Sequence, residues 1–147
     1  MQTFLPYNNF AETAQCLDSR RLGKQRLEAR QILEILLGIS SPKLTRMYRN
    51  HPAIKMWKGY EGALANYGYV ICQEWRVARN YKDEQIYFFM SIEIPAVYPD
   101  WLGNERFHDS HKSNLLRKDP IFYGKYGWNV PLDLDYYWPT DEKRMVL

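Results

Sequence analysis

The chain has 147 residues, 46% of them hydrophobic and 25% charged, with a formal net charge of +3. That length suits one domain with a core of its own, and so small a basic excess does not by itself demand a polyanionic partner. No run approaches the roughly 18 apolar residues that cross a bilayer, and Cys16 and Cys72 lack metal-ligand or redox spacing, so they read as small buried thiols of a reducing cytoplasm.

The first seven residues, MQTFLPY, are short and apolar and end beyond Pro6. They predict an extended arm packed on the body, and without a basic segment before an apolar run they are not expected to be a signal peptide. Asn9 with Glu12 three residues on starts a short helix through Cys16. Asp18 or Ser19 then caps a long helix to about Leu37, stopped by Gly38. Gly23 inside it costs about 1 kcal/mol relative to Ala, which marks a bend or a close approach by another group.

This helix carries the stretch Arg20–Arg30, RRLGKQRLEAR, with five cations around one acid, Glu28. Helical spacing puts Arg21, Lys24, Gln25 and Glu28 on one face, and Leu22, Ala29, Leu33 and Leu36 roughly opposite as a buried stripe. A positive face around one carboxylate suits a site where cations hold a polyanion and the acid moves protons. A solvated helix with an ordinary Lys24–Glu28 pair is the plainer alternative.

Further along, Ser40–Pro42 is a loop and Lys43–Arg49 a short basic helix. Asn50-His51-Pro52 opens a new segment, with Pro52 suited to a first helical turn. Leu64, Tyr67, Ile71, Trp75 and Ala78 recur at helical spacing and predict a second long helix over Ala63–Arg79. Residues Ile86–Ile94 are apolar and aromatic, and periodicity leaves strand and helix open. Asn104 caps a third helix over Glu105–Lys118, with His108 and His111 on one side and Leu115 and Leu116 towards the core. Then come IFYGKYGW, an aromatic loop broken by glycine, and an aromatic, acidic end over Pro131–Leu147. The expected fold is mainly α: one compact domain over 1–147, of about three main helices with short helices and loops.

Three other groups carry chemistry. An α-amine has a reference pKa of about 8 against about 10.4 for lysine, so it forms a Schiff base with little tuning. His108 and His111, three apart on a helix, could share a metal with His51, although hydrogen-bonding or phosphate-contacting histidines are the commoner outcome. Aromatics among glycines and Lys125 can stack on unpaired bases, each contributing about 1–3 kcal/mol, or simply cover the core.

The segments MQTFLPY, LDSRRLGKQRLEA, NHPAIKMWKGYEGAL, WLGNERFH, SHKSNLLRKDPIFY and YYWP resemble a family of small bacterial proteins, which in turn is similar to the pyrimidine-dimer DNA glycosylases of the endonuclease V type. The resemblance implies a compact helical fold without a deep cleft, a double-stranded DNA ligand, a flipped nucleotide, and cleavage of an N-glycosidic bond followed by β-elimination. It puts a catalytic glutamate at Glu28. The phage-type enzymes use the amine of a small residue exposed after Met removal. Here Gln2 disfavours that removal, so the Met1 amine is the candidate nucleophile and Lys24 the fallback.

The candidate site is then Glu28, Met1 and Lys24 for catalysis. Arg20, Arg21, Arg26, His51, His108, His111, Arg117 and Lys118 bind DNA, and Tyr123 and Tyr126 stack. No metal or other cofactor is expected, and the protein is expected to be a cytoplasmic monomer. The alternatives are a non-catalytic DNA-binding protein of the same fold and a metal-dependent hydrolase built on His51, His108 and His111.

Overall fold

The computed structural model describes residues 1–139. Among them the chain is mainly helical: α1 (Phe10–Cys16), α2 (Ser19–Leu36), α3 (Pro42–Tyr48), α4 (Pro52–Trp57), α5 (Glu61–Gln73), α6 (Gln85–Met90), α7 (Glu105–Lys118) and α8 (Pro120–Gly124), with a π turn over Glu74–Ala78 continuing α5. The three main helices of the sequence are α2, α5 and α7.

Helix starts follow local chemistry. Asn9, Asp18, Ser41, His51, Asn104 and Asp119 each accept a backbone N–H of the first turn on the side chain, and Pro42, Pro52 and Pro120 sit where no amide is needed. Beyond α2, Gly38 takes φ +72°, a left-handed turn that favours glycine.

The core is built around α5, which packs against α1, α2 and α6. Trp57, Leu64, Tyr67 and Ile71 share one core with Leu22, Ala29, Ile32 and Leu33 of α2, all fully buried. Gly23 marks a close approach: a Cβ there would lie 2.9 Å from the Trp75 indole. That indole is held from behind by the Arg26 guanidinium, 4.4 Å from its centroid, and by its Nε1–H donating to Lys82 O at 2.9 Å.

Three stretches differ in detail from the sequence reading. The second long helix starts at Glu61, and its last turn widens into the π turn. There Arg79 donates to Ala14 O (3.0 Å) and Gln15 O (3.3 Å) at the end of α1 and to Ser19 Oγ (3.1 Å) at the start of α2. The undecided stretch 86–94 begins as the short helix α6, because Ile86 and Phe89, one turn apart, are the side chains it buries against α5. The aromatic loop is partly the helix α8, started by Asp119 and Pro120. The last eight residues of the acidic end lie outside the described residues.

The N-terminal arm, Gln2–Pro6, is buried without belonging to any helix. Its backbone groups need partners, and side chains from three helices supply them. Phe4 N–H donates to Gln25 Oε1 (3.0 Å) and Gln25 Nε2 to Gln2 O (3.0 Å). The Tyr67 hydroxyl lies 2.8 Å from Phe4 O. Leu5 is held at both ends: its N–H donates to His111 Nδ1 (2.9 Å), and His108 Nδ1 lies 2.7 Å from its carbonyl oxygen. Trp57 Nε1–H donates to Thr3 Oγ1 at 3.0 Å.

Candidate active site

Where the arm ends, a half-open cleft of about 350 Å³ is lined by Met1, Gln2, Phe4, Arg20, Arg21, Lys24, Gln25, Glu28, Lys118 and Tyr136. All three candidate catalytic residues, Met1, Glu28 and Lys24, therefore open on one space, with three of the proposed phosphate-binding cations, Arg20, Arg21 and Lys118.

The geometry of the acid is set by Gln25. This side chain is 1% exposed, not on an open helix face as helical spacing suggests. Its Nε2 donates to Glu28 Oε2 (2.9 Å) as well as to Gln2 O, while its Oε1 accepts from Phe4 N–H and lies 2.8 Å from the Tyr67 hydroxyl. One amide thus joins the residue next to Met1 to the Glu28 carboxylate. The Lys24–Glu28 ion pair is not formed among the described residues. Lys24, Arg20 and Lys118 are exposed and have no carboxylate partner among them.

Arg21 is half-buried and paired with Asp18 at 3.1 Å. Burial pushes the Asp18 carboxyl up, but hydrogen bonds from the Tyr123 hydroxyl and from Arg21 outweigh it and hold it below the usual range. His51 stands beside the site. Its Nδ1 accepts from Ala53 N–H at 3.0 Å, its ring edge meets Trp138 at 5.9 Å, and burial followed by the charge of the Met1 amine lowers its pKa. Trp138 packs on Tyr136 (5.7 Å) and Tyr136 on His111 (5.4 Å), so the segment before Pro139 forms a wall of the cleft. Burial pushes the Tyr136 phenol up to about 12.

The structure places other predicted DNA-binding residues away from the cleft lining. His108 and His111 hold Leu5, and His108 Nε2 accepts from Gly103 N–H at 2.9 Å. Burial lowers both pKa values, His111 to about 3, and each ring accepts a backbone N–H on one nitrogen. Arg26 pairs with Asp83 at 2.5 Å and lies over Trp75. Arg117 donates to the carbonyls of Leu132 (2.6 Å) and Leu134 (2.7 Å). Tyr123 is fully buried against Asp18, and the half-buried Tyr126 donates to Cys16 O at 2.8 Å and stacks on Trp128. These residues build the site's frame, because each is spent on a partner inside the protein. His51, His108 and His111 do not converge: among the described residues no three potential metal ligands cluster.

Gln25 and Tyr136 went unassigned in the sequence reading. The spacing of Gln25 and Glu28 puts both on one α2 face, but no local signal says that the arm packs onto Gln25 there.

A family model described as pyrimidine dimer DNA glycosylase matches residues 1–88. No curated protein and no solved structure matches the chain. Among the described residues no helix is long and apolar enough to cross a membrane.

Proposed function

The chain belongs to the pyrimidine dimer DNA glycosylase family, and we propose that it removes a damaged or modified pyrimidine from double-stranded DNA and then cleaves the abasic site by β-elimination. The observation that carries this reading is the convergence of Met1 and Glu28 on one cleft, with Gln25 bonded to both Gln2 O and Glu28 Oε2.

In this reading the neutral Met1 amine attacks C1′ of a flipped nucleotide, and the C1′–N bond breaks. The base leaves with the bonding pair and takes up a proton. The amine loses a proton and the sugar ring opens, O4′ taking one up, which leaves an iminium ion between the Met1 nitrogen and C1′. The Glu28 carboxylate removes a proton from C2′, and the C3′–O bond breaks with the electrons on oxygen. Arg20, Lys24 and Lys118 hold phosphates, and Tyr136 walls the flipped nucleotide. Flipping costs a few kcal/mol and least at damaged pairs, which favours lesions. We read the protein as a single-domain monomer acting in the cytoplasm without a metal.

Borohydride trapping tests this. With duplexes carrying a cyclobutane pyrimidine dimer or an abasic site, the expected covalent adduct maps to Met1 by mass spectrometry, and Glu28→Gln abolishes strand cleavage while DNA binding stays. An adduct on Lys24 moves the nucleophile within the cleft. DNA binding with neither adduct nor base release leaves a non-catalytic binder and overturns the proposal.

A further inference from the structure

Residues Ile35 to Tyr60 contain five cations, Lys43, Arg46, Arg49, Lys55 and Lys58, and no acid. None of the five has a carboxylate partner among the described residues, whereas Arg21, Arg26, Arg30, Arg79 and Lys112 each have one. Helix α3 lies in this stretch and has no fully buried residue. A helix of seven residues is marginal on its own, and this one packs only Tyr48 against the core while its Met47 is 59% exposed.

Its charges are ordered. Lys43, Arg46 and Arg49 follow at i, i+3 and i+6, and Arg49, the C-cap, is still helical in φ and ψ, so the three share one stripe. All three are exposed. The end of α3 is linked to the cleft wall by a short path. His51 N–H donates to Tyr48 O at 2.8 Å, and the His51 ring leads through Trp138 to Tyr136 on the cleft wall.

We propose that α3, through Lys43, Arg46 and Arg49, is a second DNA-contacting surface that grips the phosphate backbone of the duplex beside the nucleotide held in the cleft. It rests on the reading of the cleft as a DNA site. Phosphate binding carries no sequence information, so the grip is the same on damaged and undamaged duplex. It fixes where along the duplex the cleft sits.

The test is the triple variant Lys43→Gln, Arg46→Gln, Arg49→Gln, compared with the parent for binding to a short undamaged duplex over a range of salt. Every phosphate that the protein no longer neutralises makes the slope of log K against log salt shallower by about 0.9, so the variant's slope is expected to be shallower by about 2 to 3. Its thermal midpoint is expected unchanged, because the three substituted side chains are exposed and have no carboxylate partner among the described residues. Single-turnover base release at saturating substrate is also expected unchanged. A variant that folds and keeps the parent slope overturns the inference, and so does a parent that fails to bind undamaged duplex. A slower step at saturation overturns it as well, since the stripe would then belong to the cleft. A parent that binds the undamaged duplex with the expected slope difference but releases no base from damaged DNA upholds this surface and removes the glycosylase reading alone.

Discussion

At the scale of single residues, Gln25 couples the arm to the acid. Its Oε1 accepts from the arm and its Nε2 donates to Gln2 O and Glu28. Gln25→Glu keeps the accepting oxygen but sets a second carboxyl against Glu28, and two carboxyls that close cannot both ionise easily. The expected result is a folded protein whose rate of strand cleavage has its acid limb moved up by about one pH unit or more, with KM little changed. Tyr67→Phe removes a buried donor and costs about 1–3 kcal/mol of stability without moving that limb. Superimposable profiles for Gln25→Glu and parent would make Gln25 an anchor of the arm only. The histidines give a second residue-scale prediction. An unfolded histidine takes up a proton near pH 6.5, but His111 is held down to about 3 by burial and bonds Leu5 N–H through an unprotonated nitrogen. Between those values the unfolded chain binds more protons, so stability is full above pH 6.5 and falls as pH drops. Urea unfolding at about pH 5 is expected to show a loss of about 2 kcal/mol from His111 relative to neutral pH. His108, lowered in the same direction, adds to it.

Among the elements, the arm and the segment before Pro139 have the same physical problem. Neither belongs to a helix, so each depends on side chains for its backbone partners. The arm has histidine, glutamine and tyrosine from α7, α2 and α5. The later segment has Arg117, which donates to Leu132 O and Leu134 O, and Ser113 and Ser110, which accept from Leu134 N–H and Tyr137 N–H. Arg117→Ala removes the two charge-assisted bonds to carbonyls, each contributing on the order of 1.5 kcal/mol. Amide hydrogen exchange at Leu134 and Tyr137 is expected to rise about tenfold or more, with α2 and α5 unchanged. Unchanged exchange there would mean that the aromatic packing of Tyr136 and Trp138 holds the wall without Arg117.

Over the whole molecule, the family match ends at residue 88 but the packing does not. Phe89, Trp101, Phe107, Leu115, Leu116 and Tyr123 belong to the buried core. The arm that brings Met1 to the cleft is bonded to His108 and His111, more than 100 residues away in sequence. A fragment of residues 1–88 would expose that core and leave Leu5 without partners. It is expected to show no cooperative thermal transition, where the full chain shows one. A fragment that melts cooperatively near the full chain's midpoint would make residues 89–147 an addition to an independent unit.

The helical fold was legible in the sequence because it rests on local rules, and so were six of the residues that line the candidate cleft, Met1, Arg20, Arg21, Lys24, Glu28 and Lys118. Caps, prolines and helical periodicity act within a few residues, and they placed α1, α2, α3 and α7 closely and the start of α4. The same spacing put Lys24 and Glu28 on one face of α2, and the resemblance pointed to Met1. Tertiary structure decided which polar groups were still free once the helices packed. His108, His111, Arg26, Arg117, Tyr123 and Tyr126 have the chemistry of DNA-binding residues, yet each is bonded or packed within the protein. Gln25 has the chemistry of a surface residue and became a buried hub. Those outcomes depend on partners 15 to 110 residues away. A polar side chain's role is fixed by whichever unsatisfied backbone group packing brings to it, and no local pattern records that.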